Sequence, residues 1–74
     1  MTALDQLRRL LLQLKAAREA KGLSLADLTE LTGMDRSALS KLETGHRANP
    51  TVATLIRYAE ALGKRLVVSL HDIG

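Results

Sequence analysis

The chain has no cysteine, no phenylalanine and no tryptophan, a single proline and a single tyrosine, Tyr58. Without cysteine, neither a disulfide nor a thiolate metal site can support a small fold, and oligomerisation is the usual remaining support. With only one aromatic, there is no row of stacking platforms of the kind that holds single-stranded nucleic acid. No apolar run is longer than Leu10-Leu11-Leu12, which sits among Lys, Arg and Gln and falls far short of the ~20 residues of a membrane span. No signal peptide is expected. The absence of cysteine is compatible with a reducing compartment.

Catalytic patterns are scarce too. The two histidines, His46 and His71, are far apart in sequence and have no nucleophile or metal-ligand partner beside them. No phosphate loop, HExxH or nucleophile elbow occurs. Asp27 and Glu30 can share a helix face, but on an exposed helix such a pair reads as solubility. The expectation is a protein that is not an enzyme and has neither cofactor nor metal.

The 74 residues carry 11 basic and 8 acidic side chains, a net charge of +3. That balance suits a nucleic-acid partner without demanding one. The length predicts a single domain over residues 1–74, marginally stable at this size.

Four of the five glycines, Gly22, Gly33, Gly45 and Gly63, fall where helices should stop. A start signal precedes each one. Thr2 with Asp5 resembles a capping box for a helix over about 3–21, and Ser24 with Asp27 repeats it for about 25–32. Asp35 can cap a helix over about 36–44. Thr51 can cap one over about 52–62, with Asn49 before Pro50 as the alternative. Leu23 with Leu28, and Met34 with Leu39, have the spacing of hydrophobic staples.

The tail differs. Arg65-Leu-Val-Val-Ser-Leu-His71 is short, β-branched and preceded by a glycine, and it reads as a strand over about 65–71. Leu66, Val68 and Leu70 would share one face. A lone strand in a helical chain leaves its backbone unpaired, so pairing with the same strand of a second copy predicts a two-fold homodimer. A frayed tail or a continuation of the preceding helix is the alternative. Along the first helix, Leu4, Leu7, Leu11 and Leu14 form one stripe and Leu10, Leu14 and Ala17 the next. One stripe should face the core. The other, with Leu4 and Leu7, needs cover from a dimer partner or another protein. The dimer contact is therefore assigned to Leu4, Leu7, Leu66, Val67, Val68 and Leu70.

Residues 24–44 read as two short capped helices joined by a glycine turn, the sequence form of a helix-turn-helix. Leu25, Leu28 and Leu31 supply the apolar side of the first helix, Leu39 and Leu42 that of the second. Three stretches carry a family resemblance: Lys21-Gly-Leu-Ser-Leu-Ala-Asp-Leu28, Thr32-Gly-Met-Asp-Arg-Ser-Ala-Leu-Ser-Lys-Leu-Glu-Thr-Gly45, and Asn49-Pro-Thr51 with Leu55-Ile-Arg-Tyr-Ala-Glu-Ala-Leu-Gly63. Together they resemble the Cro/CI-type (XRE) helix-turn-helix family over about residues 10–70. The resemblance implies an all-α domain of four to five helices, here with the added C-terminal strand. Two positions depart from the family. Leu25 stands where a Gln often touches the DNA backbone, and Thr29 where Ala is frequent.

The resemblance makes the helix at 36–44 the recognition helix. Arg36, Ser37, Ser40 and Lys41, on the face opposite Leu39 and Leu42, become the candidates for base contact. Arg can fork onto guanine O6 and N7, Lys can do so less directionally, and Ser permits close approach. Alone, such a face is ordinary solvated surface; the surrounding motif makes it a candidate. The loop after it implies backbone contacts from His46, Arg47 and Asn49. Asp35, an anion close to the DNA, is taken as mainly structural. Arg18 and Glu43 match a structural ion pair of the family, and Tyr58, between Leu55 and Leu62, is taken as a partly buried packing residue.

The expectation is a cytoplasmic, nucleoid-associated homodimer that binds a pseudo-palindromic double-stranded DNA operator and represses transcription. With no second domain expected, a separate ligand-sensing module is not foreseen. The alternative is the antitoxin component of a toxin–antitoxin pair, with a toxin protein as partner on the Leu-rich first helix and the same autoregulatory DNA binding. A purely structural interaction module, which would bind no duplex, is a third reading.

Overall fold

The computed structural model of the chain describes residues 2–44 and 50–73. They contain four helices in the order α1 (Ala3–Ala20), α2 (Leu25–Thr32), α3 (Arg36–Thr44) and α4 (Val52–Ala61). Local polar chemistry sets where three of them begin. Thr2 Oγ1 accepts from Asp5 N (3.1 Å) and Asp5 accepts from Thr2 N (3.3 Å), closing a capping box on α1. Ser24 and Asp27 repeat the exchange on α2 at 3.0 and 2.8 Å. Thr51 Oγ1 accepts from Thr54 N (3.1 Å) at α4. Each exchange satisfies donors that the first helical turn leaves without partners. Asp35 precedes α3 and its carbonyl accepts from Leu39 N (3.0 Å); among the described residues its carboxylate takes no capping bond.

The core is leucine-rich and drawn from all four helices: Leu11 and Leu14 of α1, Leu28 of α2, Leu39 and Leu42 of α3, Leu55, Tyr58 and Ala59 of α4, and Leu62 just beyond. α2 packs against both α3 and α4, and α1 packs against α3. Tyr58, Leu28, Leu39 and Leu62 are fully buried.

Leu31 is not on the apolar side of α2, as its spacing suggested. It is 58% exposed, while Thr32 is buried. At about 100° per residue, Leu25, Leu28 and Thr32 fall within one arc of about 60°, and Leu31 lies about 60° beyond the edge of that arc. Thr32 enters the core without cost in unpaired polarity because its hydroxyl donates to Leu28 O (2.6 Å).

The tail also differs from expectation. Among the described residues there is no strand, and 65–73 carries no regular structure. A strand exists only through a partner edge, and none lies within the described chain. Leu66 packs against the core, whereas Val67, Val68, Leu70 and Ile73 are exposed. Leu7, set aside for a partner, is likewise partly buried against the chain's own core, and Leu4 remains exposed. Gly45, the expected stop for α3, lies outside the described residues.

Candidate nucleic-acid interface

The turn between α2 and α3 decides how α3 is presented. Gly33 adopts φ +73° and donates its N–H to Thr29 O (2.9 Å). This left-handed conformation is open to glycine without the Cβ penalty other residues meet. Thr32 Oγ1 also accepts from Met34 N (3.1 Å), so one buried hydroxyl ties the end of α2 to the chain entering α3. Thr29 turns its own hydroxyl back to Leu25 O (3.1 Å). Leu25 is partly buried against the core.

Leu39 and Leu42 turn inward, and Arg36, Ser37, Ser40 and Lys41 are all exposed. The four share one outward face, 0–140° around the helix from Arg36 on an ideal 100° spacing. With side chains a helix is about 10–12 Å across, and a B-DNA major groove is about 12 Å wide. The face holds two cations and two small hydroxyls, a set suited to base edges and phosphates. His46, Arg47 and Asn49 lie outside the described residues.

Glu43, near the end of α3, is kept off that face. Arg18 Nε donates to Glu43 Oε2 (2.7 Å) and a terminal guanidinium nitrogen donates to Oε1 (2.9 Å), a bidentate pair. Side-chain exposure is only 11% for Arg18 and 6% for Glu43, so the carboxylate's charge is neutralised inside the domain. The other terminal nitrogen of Arg18 donates to Leu23 O (2.7 Å). Hydrogen bonding to Glu43 raises the Arg18 pKa above its usual value, against the opposing effect of burial.

Tyr58 was read from sequence only as packing. It is fully buried, and its hydroxyl donates to Glu43 Oε2 at 2.5 Å. Burial first, then the bond to Glu43 and that residue's charge, push the phenol well above its ordinary value. One signal for this role is legible, since a buried tyrosine hydroxyl usually finds a partner. Which partner is not legible, because Glu43 is 15 residues away on another helix. Thr32 was missed for a similar reason, its importance arising from burial.

Among the described residues no cluster of His, Asp and Glu is arranged to hold a metal ion, and no helix is long and apolar enough to cross a membrane.

A family profile described as a helix-turn-helix (HTH_3) matches residues 14–68. MJ1164 of Methanocaldococcus jannaschii, whose name assigns it to the HTH-type transcriptional regulatory proteins, is 43% identical over 54 residues, 73% of this chain and 17% of that protein. The HTH-type transcriptional repressor RghR of Bacillus subtilis is 38% identical over 50 residues, 68% of this chain and 37% of that protein. The chain therefore matches well under half the length of either relative. No solved structure matches the chain.

Proposed function

Since the chain belongs to the XRE-type helix-turn-helix family, we propose that it is a sequence-specific regulator of transcription that reads double-stranded DNA with α3. The observation that carries this reading is the two-sided α3. Leu39 and Leu42 are buried behind it, and Arg36, Ser37, Ser40 and Lys41 stand exposed in front. Arg36 and Lys41 are assigned to base edges, with Ser37 and Ser40 allowing close approach. His46, Arg47 and Asn49 are assigned to the phosphates that flank the groove. Residues 1–74 act as one DNA-binding unit, and its chemistry is recognition, not catalysis.

The regulator works as a homodimeric repressor on a pseudo-palindromic operator in the cytoplasm. Repression is supported by the name of RghR. Dimerisation is supported by the apolar residues left open: Leu4 and Val52 on the body, and Val67, Val68 and Leu70 on the tail. In the dimer, segment 65–71 of each copy would pair with its mate, giving the backbone there the partner that a single chain lacks. Two recognition helices would then read half-sites about 34 Å apart. The same open surface supports a second reading, in which a toxin protein occupies it and the chain is an antitoxin that also represses its own operon.

Selection from random duplex DNA, with the oligomeric state measured alongside, tests both readings. An enriched inverted repeat bound by a dimer supports the repressor. A monomer that gains order only with a toxin supports the second reading, and no enrichment by a folded dimer overturns DNA recognition.

A further inference from the structure

The core contacts of α3 leave one degree of freedom weakly determined. Leu39 and Leu42 seat the helix against α2, but apolar burial is non-directional, so it fixes depth better than rotation about the helix axis. A small roll would carry Arg36 and Lys41 away from a base edge. Hydrogen bonds are directional, and at the end of α3 three of them converge on one side chain. Glu43 accepts two from Arg18 of α1 and one from Tyr58 of α4. Arg18 is itself held to the turn after α1 through Leu23 O. Tyr58 is held by its place between Leu55 and Leu62 in the core.

We propose that Tyr58 is a positioning residue for DNA recognition, its hydroxyl joining Arg18 on Glu43 to form a three-helix clamp that fixes the roll of α3. The inference rests on the reading of α3 as the recognition helix. Tyr58 is fully buried, so it acts on DNA only through Glu43. Removing its hydroxyl leaves Oε2, among the described residues, with the Arg18 Nε bond, and the hydrogen bond from α4 to the end of α3 is lost. Packing is hardly altered when Phe replaces Tyr.

The test compares the full chain with its Tyr58→Phe variant, under conditions where circular dichroism shows both fully folded. Three quantities are measured: affinity for the duplex selected by the parent, the base-preference profile, and the amide spectrum of residues 36–44. The expected result is an affinity about three- to tenfold weaker, the size of one hydrogen bond expressed through binding, with displaced α3 amides. A folded variant with parental affinity and unmoved α3 amides would overturn the inference while leaving DNA recognition intact. If the parent selects no duplex, the parent reading fails, and the α3 amides alone decide whether Tyr58 sets the helix.

Should the Phe variant not fold, the single tyrosine offers a second measurement. Growth on 3-fluorotyrosine labels this position alone. Its fluorine resonance should shift when the selected duplex is added, although the ring cannot touch DNA. A resonance that stays put at saturation overturns the coupling.

Discussion

Arg18 and Glu43, 25 residues apart in the chain, form a bidentate pair at 2.7 and 2.9 Å that is almost closed to solvent. A pair of this kind is most costly when half of it is removed, because the remaining charge stays buried and uncompensated. Arg18→Met should therefore destabilise the domain by about 2–4 kcal/mol in urea unfolding. Replacing both residues with apolar ones should cost less than the sum of the single changes. Additive losses in that double-mutant cycle would mean that the two side chains do not couple in solution.

Arg36→Ala should leave stability within about 0.5 kcal/mol, since the side chain is exposed. It should weaken binding to the selected duplex by about 1–3 kcal/mol and relax preference at one operator position. Arg47→Ala should weaken all sequences alike and lower the salt dependence of binding by about one unit. An unchanged selection profile for Arg36→Ala would remove it from the readout. An unaltered salt slope would remove Arg47 from the phosphate contacts.

Leu28 and Leu31 are three residues apart on α2, yet Leu28 is fully buried and Leu31 is 58% exposed. Leu28→Ala should cost about 2–5 kcal/mol. Leu31→Ala should change stability by no more than about 0.5 kcal/mol, or improve it slightly through helix propensity. Comparable losses for the two, measured by thermal unfolding, would place Leu31 in an interface.

Ser24→Ala should cost about 1 kcal/mol through the lost cap on α2. The cap also has a pH signature. Hydrogen bonds from the Ser24 backbone N–H and then its hydroxyl hold the Asp27 carboxyl below its ordinary value of 3.8. A lowered native value means that this stabilisation is present above the unfolded value and is lost as pH falls through the native one. The stability difference between the parent and Asp27→Asn should therefore narrow below about pH 4. A gap constant across the acid range would argue against the carboxylate as the capping form.

The opposite window belongs to Tyr58. Its phenol lies above the ordinary value of 10.0 because burial and Glu43 both disfavour the phenolate. The native state thus holds the proton where the unfolded state has released it. The stabilisation is complete below about pH 10 and falls as pH rises beyond it, by at most about 1.4 kcal/mol per pH unit for one proton. Tyr58→Phe should show a shallower alkaline loss than the parent. Equal slopes would mean the phenol ionises freely in the folded state.

The starts of α1, α2 and α4 and the stop of α2 at Gly33 were legible in the sequence because they depend on contacts within four residues, whereas the side-chain cap expected from Asp35 at α3 is not formed among the described residues. Thr2 with Asp5, Ser24 with Asp27 and Thr51 with Thr54 all close over such spans, and Gly33 takes its positive φ from the backbone alone. The amphipathic pattern of α3 was legible for the same reason, since Leu39 and Leu42 follow the helical repeat. These local rules determined a helix-turn-helix and named the outward face of its second helix.

Tertiary structure decided the rest. Whether Leu31 or Thr32 enters the core depends on which arc of α2 meets α3 and α4, and alternation of apolar letters does not encode that direction. The tail at 65–71 has a strand's composition, but a strand is a property of two edges, and the described chain supplies only one. Tyr58 reads as one more apolar position along α4. Only the packing of three helices brings its hydroxyl to Glu43 and sets it beside Arg18 at the end of α3. Sequence governs what neighbouring residues do to one another; the roll of α3 depends on residues far apart in the chain, and their meeting is settled by the fold as a whole.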